Sequence, residues 1–399
     1  MADEQKIKEI LERGVEDVIV KEHLAAALRS GKQLRVKFGI DPTSPDLHLG
    51  HAVVLRKLKA LQELGHTIVL IIGDFTATIG DPSGKSKTRP PLTAEDVGKN
   101  MRDYLDHAGK IIDIKKAEVR YNSEWLEKLG GARMLELLSL VSVSQILERD
   151  DFAKRLREQQ SIRMHELLYP VIQAYDSVMV QADLECGGTD QMFNMLMGRT
   201  LMERMGQPPQ DVLMVSLVEG TDGKEKMSKS LGNYIGISDA PQDMFGKVMS
   251  VPDDLILKYF WLCTDVSQDE LDEYHKRIEK GANPRDIKIE LGKKIVALYH
   301  SQVAAEAAAA EFEKVFSKKE LPSEMLEIAP SDTSLKGAVM DVMAVSGARS
   351  SASATKQLIE AKGVKINDEV QTDWDIEVKD GDIIQWGKGK FFKVIRKNA

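Results

Sequence analysis

The chain has 399 residues, 42% hydrophobic and 30% charged, with a net charge of −8. That is long enough to bury a large core and to form two or three domains. The charge is uneven. Residues 336–399 hold 11 Lys/Arg against 9 Asp/Glu, a surplus of +2 that leaves −10 for residues 1–335 and suggests an anionic partner for the tail. Cys186 and Cys263 stand far apart with no CxxC spacing, which argues against a disulfide framework or zinc site and places the chain in a reducing cytoplasm. The N-terminal MADEQKIKEILERGVEDVI has no signal-peptide core, and no run of about 18 apolar residues could span a membrane.

In chain order, residues 1–30 are expected to form two helices, the first running through MADEQKIKEILERGVEDVI and the second KEHLAAALRSG, stopped by Gly31. LRVKFGI then alternates as a strand, and AVVLRKLKALQEL places Val54, Leu58 and Leu61 at helical spacing. The proline-rich DPTSPDLHLGH between them is therefore a strand-to-helix turn, where an open α/β sheet binds ligand. With Asp46 as N-cap, His48 and His51 fall in the first helical turn, on one face of a positive helix end. Gly50 leaves room for a close approach, and two imidazoles can donate to phosphoryl oxygens without adding fixed charge. The alternative is a pair of surface histidines or partial metal ligands.

HTIVLIIGDF reads as a buried parallel strand closing a strand-helix-strand unit. Its exit loop GDPSGKSKTRP lacks P-loop spacing between Gly80 and Gly84. It still offers Asp81 for an ammonium and Lys85 with Arg89 for polyphosphate, unless it is a solvated charged turn. Thr93 is expected to cap the next helix through Thr93-x-x-Asp96, and AEVRYN to be a short strand. A helical insertion over about 123–160 follows, with Leu135, Leu138 and Val141 facing apolar neighbours in packing or a subunit contact.

In LLYPVIQAYDSVMV, Tyr169, Gln173 and Asp176 share one helix face; they either satisfy one another or hold a polar ligand. The strand ADLECGG ends at another sheet exit, where Thr189-Asp190-Gln191 caps a helix containing Met192, Met195 and Met197 as core filling. After the strand DVLMVSL, the loop EGTDGKEKMSKSLGN carries Lys224, Lys226 and Lys229, either a solvated basic surface or a clamp on polyphosphate. Residues 241–316 read as a separate helical domain with Asn283-Pro284 starting a long helix, and 317–334 as a linker. The remainder, 335–399, reads as two helices and then the short strands VKIND, DIEVKDGDIIQWG and KFFKVIRK.

HLGH at 48–51 together with KMSKS at 226–230 resembles the paired signature motifs of class I aminoacyl-tRNA synthetases. GDPSGK, YPVIQAYD and GGTDQ are similar to the tyrosyl branch, and the end of the chain resembles a small RNA-binding domain shared with a ribosomal protein. The resemblance implies a doubly wound, Rossmann-like α/β catalytic domain over 1–240, an α-helical tRNA-binding domain over 241–316 and a small α+β RNA-binding domain over 335–399. It implies a cytoplasmic homodimer that uses tyrosine, ATP with Mg2+ as substrate and a tyrosine tRNA, with no protein-bound metal and no membrane.

Residue by residue, the resemblance implies Asp81, Tyr169 and Gln173 on the tyrosine ammonium, Asp176 on its hydroxyl and Gln191 on its carboxylate side. Gly39, Asp41, Gly50, Gly188 and Asp190 belong to the ATP site, His48, His51 and Thr43 to the phosphates, and Lys85, Arg89, Lys226 and Lys229 to the pyrophosphate. Two positions depart from the pattern: Lys37 stands where many tyrosyl enzymes have a tyrosine, and Glu185 where some have glutamine. A lysine cannot serve as the second phenol partner in the same way, so another residue or water must take that role. Two rivals are an HxGH nucleotidylyltransferase acting without RNA, against which KMSKS and the tail argue, and a noncatalytic RNA-binding protein, against which the intact motifs argue.

Overall fold

The computed structural model describes residues 3–41, 47–79, 94–316, 320–323, 325–345, 351–387 and 390–395. Two compact units divide the chain, Met1–Gln302 and Val303–Ala399.

In the first unit α1 (Glu4–Glu12) is capped by Asp3, whose side chain accepts from the Lys6 amide, and it buries Ile7, Ile10 and Leu11. The helix expected through Ile19 stops early. Gly14 adopts φ +62, and the β-branched Val15–Ile19 segment turns into strand β1, followed by α2 (Lys21–Arg29). β2 (Arg35–Ile40), α3 (Leu49–Glu63) and β3 (Thr67–Ile72) form the expected crossover unit, with Val54, Leu58 and Leu61 of α3 buried. After α4 (Thr76–Ile79) come α5 (Ala94–Ala108) and β4 (Glu118–Tyr121); the expected cap Thr93 lies outside the described residues.

The insertion forms α6 (Ser123–Leu126), α7 (Gly131–Ser139), α8 (Val143–Leu147) and α9 (Asp150–Arg157). Trp125, Leu137, Ile146 and Phe152 enter the core, and Leu138 and Val141 pack against it. Leu135 does not: two residues before Leu137 it lies on the opposite side of α7 and is 70% exposed. α10 (Met164–Val180) leads to β5 (Leu184–Gly188), a 3-10 turn at Thr189–Gln191, and α11 (Met192–Arg204). Thr189-Asp190-Gln191 is thus a turn before α11 and supplies no side-chain cap to it. Met195 and Met197 are core as expected, whereas Met192, the first residue of the helix, is exposed.

With β6 (Asp211–Val215) the sheet order is β1-β6-β5-β2-β3-β4, parallel except for β1 against β6. The chain runs outward from β2 through β3 to β4, then returns to β5 beside β2. That reversal creates a crevice at the strand ends of β2 and β5. α12 (Pro241–Met249), α13 (Ile256–Cys263), α14 (Gln268–Glu279) and α15 (Pro284–Tyr299) complete this unit. Asn283 caps α15, accepting from the Arg285 amide at 3.0 Å, with Pro284 in its first turn as the sequence predicts.

The second unit holds α16 (Gln302–Phe316) from Val303 onward, β7 (Leu326–Ile328), α17 (Leu335–Val345), α18 (Ala352–Glu360), β8 (Val364–Ile366), β9 (Glu369–Gln371), β10 (Ile383–Trp386) and β11 (Lys390–Val394). The sheet order is β7-β11-β10-β8-β9. The stretch expected as a linker therefore contributes a strand: β7 pairs in parallel with β11 and buries Ile328. Leu335, Val339, Ile359, Trp386 and Phe392 fill the core between helices and sheet.

Candidate active site

The crevice between β2 and β5 gathers most of the residues singled out above. Gly39, the last residue but one of β2, has open space where a side chain would stand, and Asp41 directly follows the strand. Asp46 and Thr43 lie outside the described residues, and α3 begins later than that cap implies. His48 occupies the N-cap with extended backbone, held there because it bridges Gly236, while Leu49 N–H donates to Ile235 O at 3.0 Å and Ile237 N–H to Leu47 O at 3.0 Å. His48 thus precedes the first turn and His51 sits inside it. Their rings lie 3.9 Å apart. Gly50 serves the histidine itself, since a Cβ there would come within 3.1 Å of the His48 imidazole.

Both rings are held neutral. Burial pushes His48 down to about 2, and the neighbouring His51, Lys229 and Lys226 add to the effect. Desolvation brings His51 to about 4, with Lys229 and Lys226 opposing protonation and Asp190 favouring it. His51 Nδ1 accepts the His48 amide at 3.3 Å, which leaves its ring proton on Nε2. The buried His48 Nδ1 has no hydrogen-bond partner among the described residues, a cost that a ligand would remove.

A second cluster runs from Tyr169 to Asp176. Tyr169 Oη donates to Asp41 Oδ2 at 2.7 Å and Thr76 Oγ1 to Asp41 Oδ1 at 2.7 Å. Asn122 Nδ2 donates to Thr76 Oγ1 at 3.1 Å and to Asp176 Oδ2 at 3.3 Å, while Trp125 Nε1 donates to Asp176 Oδ1 at 2.8 Å. Gly73 makes the first link possible, because any Cβ there would strike Asp41 and Thr76. Asp176 is fully enclosed; burial raises it to about 7, against the pull of Lys37, Trp125 and Asn122 and with Glu185 adding to the rise. Gln173 lies on the same helix, one turn before Asp176.

The KMSKS segment is anchored on both sides. Met227 is buried and its amide donates to Val218 O at 2.8 Å, and buried Asn233 accepts from the Ser228 amide at 2.8 Å and donates to Asp222 at 2.9 Å. Lys226 Nζ pairs with Asp190 at 2.7 Å, tying the loop to the exit of β5. Lys229 lies 5.8 Å from the Tyr234 ring, which also faces His48. Gly188 stands beside Asp190 Oδ1, and Gln191 accepts from Asn194.

A family model described as tRNA synthetases class I (W and Y) matches residues 29–317. The chain belongs to the class I tRNA synthetases. It is 48% identical over 397 residues to the tyrosine–tRNA ligase of Thermotoga maritima, covering 99% of this chain and 98% of that protein. It is also 49% identical to tyrosine–tRNA ligase 2 of Clostridium acetobutylicum, covering 98% of each. In fold it is similar to a tyrosyl-tRNA synthetase of Archaeoglobus fulgidus solved with L-tyrosine, at TM-score 0.61 and 23% identity over 77% of this chain and 99% of that one. A C-terminally truncated mitochondrial tyrosyl-tRNA synthetase of Aspergillus nidulans gives TM-score 0.62 at 20% identity, over 78% and 94%. This chain is accordingly an enzyme, an aminoacyl-tRNA synthetase with ATP as substrate.

Within this synthetase the structure brings His48, Gly50 and His51 together, ties Lys226 to Asp190 beside Gly188, and links Tyr169 and Asp41 through Thr76 and Asn122 to Asp176. Asp81, Lys85 and Arg89 lie outside the described residues, as does Thr43. Sequence reasoning missed Gly73, Thr76, Asn122 and Trp125. Gly73 and Asn122 follow β3 and β4 directly, so the sheet-exit rule that located Asp41 would have found them. Trp125 sat inside a stretch read as packing. Among the described residues no group of three or more His, Cys, Asp or Glu is placed to hold a metal ion, and no helix is long and apolar enough to cross a membrane.

Proposed function

We propose that this synthetase activates tyrosine with Mg-ATP, releases pyrophosphate, and passes the tyrosyl group to the 3′-terminal ribose of tyrosine tRNA. The observation that carries this reading is the buried Asp176 carboxylate, joined through Asn122, Thr76 and Asp41 to Tyr169. A phenol is the amino-acid terminus that best answers an enclosed carboxylate, and phenylalanine would bring it no donor beyond those Trp125 and Asn122 already give; tyrosine activation is itself the standard example of such discrimination.

Tyr169, its hydroxyl donating a hydrogen bond to Asp41, meets the substrate ammonium through its oxygen, with Asp81 and Gln173 as further acceptors. Gln191 faces the carboxylate side. Gly39, Asp41, Gly50, Gly188 and Asp190 frame the adenosine, with Gly39 leaving space for it. The amino-acid carboxylate attacks the α-phosphorus of ATP, and no side chain need act as acid or base. Catalysis comes from alignment and from stabilising charge on phosphorus and pyrophosphate. His48 and His51 donate as neutral imidazoles, with Thr43, Lys85, Arg89, Lys226 and Lys229 completing the set. Lys226 must leave Asp190 or share it to reach the departing group. Mg2+ enters as the counter-ion of ATP.

We assign tRNA binding to the helices of 241–316 and to the tail domain of 335–399, and a homodimer contact to the insertion, where Leu135, Val143 and Leu156 are exposed. The compartment we propose is the cytoplasm. Amino-acid-dependent ATP–pyrophosphate exchange across the twenty amino acids tests the reading: tyrosine alone should support rapid exchange, and exchange driven by tryptophan or by no amino acid would overturn it.

A further inference from the structure

Lys37 and Glu185 face each other across the central β2–β5 pair and form an ion pair at 2.9 Å, with side chains 1% and 3% exposed. Besides Glu185 Oε1, Lys37 Nζ reaches Ser177 Oγ at 2.8 Å and Gln173 O at 3.2 Å. An ammonium has three protons, and here each has an acceptor. Lys37 therefore keeps no donor for a substrate phenol. Glu185 Oε2 is taken by Gln210 Nε2 and by Ser177 Oγ at 3.4 Å. Gly198 of α11 leaves the space these groups occupy, since a Cβ there would lie 2.7 Å from Gln210 and 3.0 Å from Ser177.

The two contacts of Lys37 on α10 bracket Asp176: Gln173 lies three residues before it and Ser177 one residue after. The lysine thus grips the helical turn that presents the carboxylate. We propose that Lys37, balanced by Glu185, is a positioning residue that sets selectivity for tyrosine over phenylalanine by holding the Asp176 turn and its charge. This rests on the reading that Asp176 accepts the substrate hydroxyl. Two facts favour a role beyond stability. A buried ion pair costs desolvation that apolar residues of like volume avoid. Lys37 also supplies positive charge that favours the acceptor form of Asp176, against burial and against Glu185.

The test compares Lys37→Met, the double variant Lys37→Met/Glu185→Gln, and Asp176→Asn in the full-length enzyme. Tyrosine- and phenylalanine-dependent pyrophosphate exchange are measured with kcat and KM resolved, alongside melting temperature. Lys37→Met should raise the KM for tyrosine by about tenfold, the worth of one charge-assisted hydrogen bond, and leave phenylalanine within about twofold. The double variant no longer buries a lone carboxylate and should regain melting temperature without regaining selectivity. Equal loss for both amino acids in Lys37→Met, or a double variant that recovers selectivity along with stability, would overturn the proposal and leave the pair a purely structural device. If Asp176→Asn shifts selectivity while the Lys37 variants do not, only the pair's role falls. If Asp176→Asn shifts nothing, the hydroxyl reading falls and the proposal with it.

Discussion

The amide of Leu49 donates to the carbonyl of Ile235 at 3.0 Å, so the turn that carries His48 and the segment that leaves the KMSKS loop are joined by backbone. Side-chain motion cannot separate the two motifs without breaking this bridge. It fixes His48 where its buried Nδ1 awaits a partner, with the Tyr234 ring within reach of both His48 and Lys229. His48→Ala and Lys229→Ala should each slow tyrosyl-adenylate formation by roughly 10²–10³, the range for losing one preorganised donor to a transition state. The dissociation constant for tyrosine should change little. Single-turnover adenylate formation and equilibrium tyrosine binding are the two measurements, and parallel losses in both would refute the phosphate assignment.

Asp176 titrates where an experiment can follow it. Its folded value is raised to about 7 from an ordinary 3.8, chiefly by burial, so in the free enzyme the carboxyl loses its proton as pH rises through about 7. The ionised form accepts the phenol hydrogen in a charge-assisted bond that the neutral acid lacks, so tyrosine affinity should tighten between about pH 6 and 8 while phenylalanine activation stays flat. The same shift makes the free fold lose stability from this group as pH rises from 3.8 towards 7, because the unfolded chain ionises first. Asp176→Asn should abolish the pH dependence of binding and narrow the tyrosine-to-phenylalanine ratio. Titration calorimetry over this range checks both.

Gly73 offers a test at a residue that touches no substrate in the proposed scheme. A Cβ there would displace Asp41 and Thr76, which breaks the chain between Tyr169 and Asn122. Gly73→Ala should weaken tyrosine binding and lower the melting temperature by a few degrees, as expected for about 1–2 kcal/mol in a unit of this size. A variant with unchanged tyrosine affinity would show that the two ends of the network act independently.

What could be read before the structure was known follows from which signals are local. Periodicity located β2, α3, β3 and α10, because an apolar face repeats within one element. Strand β1 was hidden by the charged residues of VEDVI, two of which face solvent at the sheet edge, and β7 by its three-residue length. In the site, His48, His51, Lys226 and Lys229 were legible because they sit in contiguous motifs. Trp125 was not, since its meaning depends on Asp176, more than fifty residues away, and no spacing rule links the two. Lys37 and Glu185 looked like two separate departures from a pattern. Their register across adjacent strands makes them one feature.

The tail unit frames the last prediction. Its sheet includes β7, so a cut within 325–334 would orphan a strand or strip β11 of its partner. A chain ending at Phe316 removes the sheet whole and keeps every residue assigned to adenylation. The removed piece carries Lys356 3.3 Å and Lys336 4.9 Å from the Trp374 ring, with Lys393 on β11. Phosphate contacts from such groups dominate RNA affinity and weaken steeply with salt. Tyrosine-dependent pyrophosphate exchange should therefore survive within about twofold, whereas aminoacylation should fall by orders of magnitude, and in the intact enzyme tRNA affinity should drop as salt rises. Melting temperature, exchange and aminoacylation on the same truncated chain separate this from a tail that only stabilises the rest. In that case exchange and aminoacylation would fall together, in step with the melting temperature.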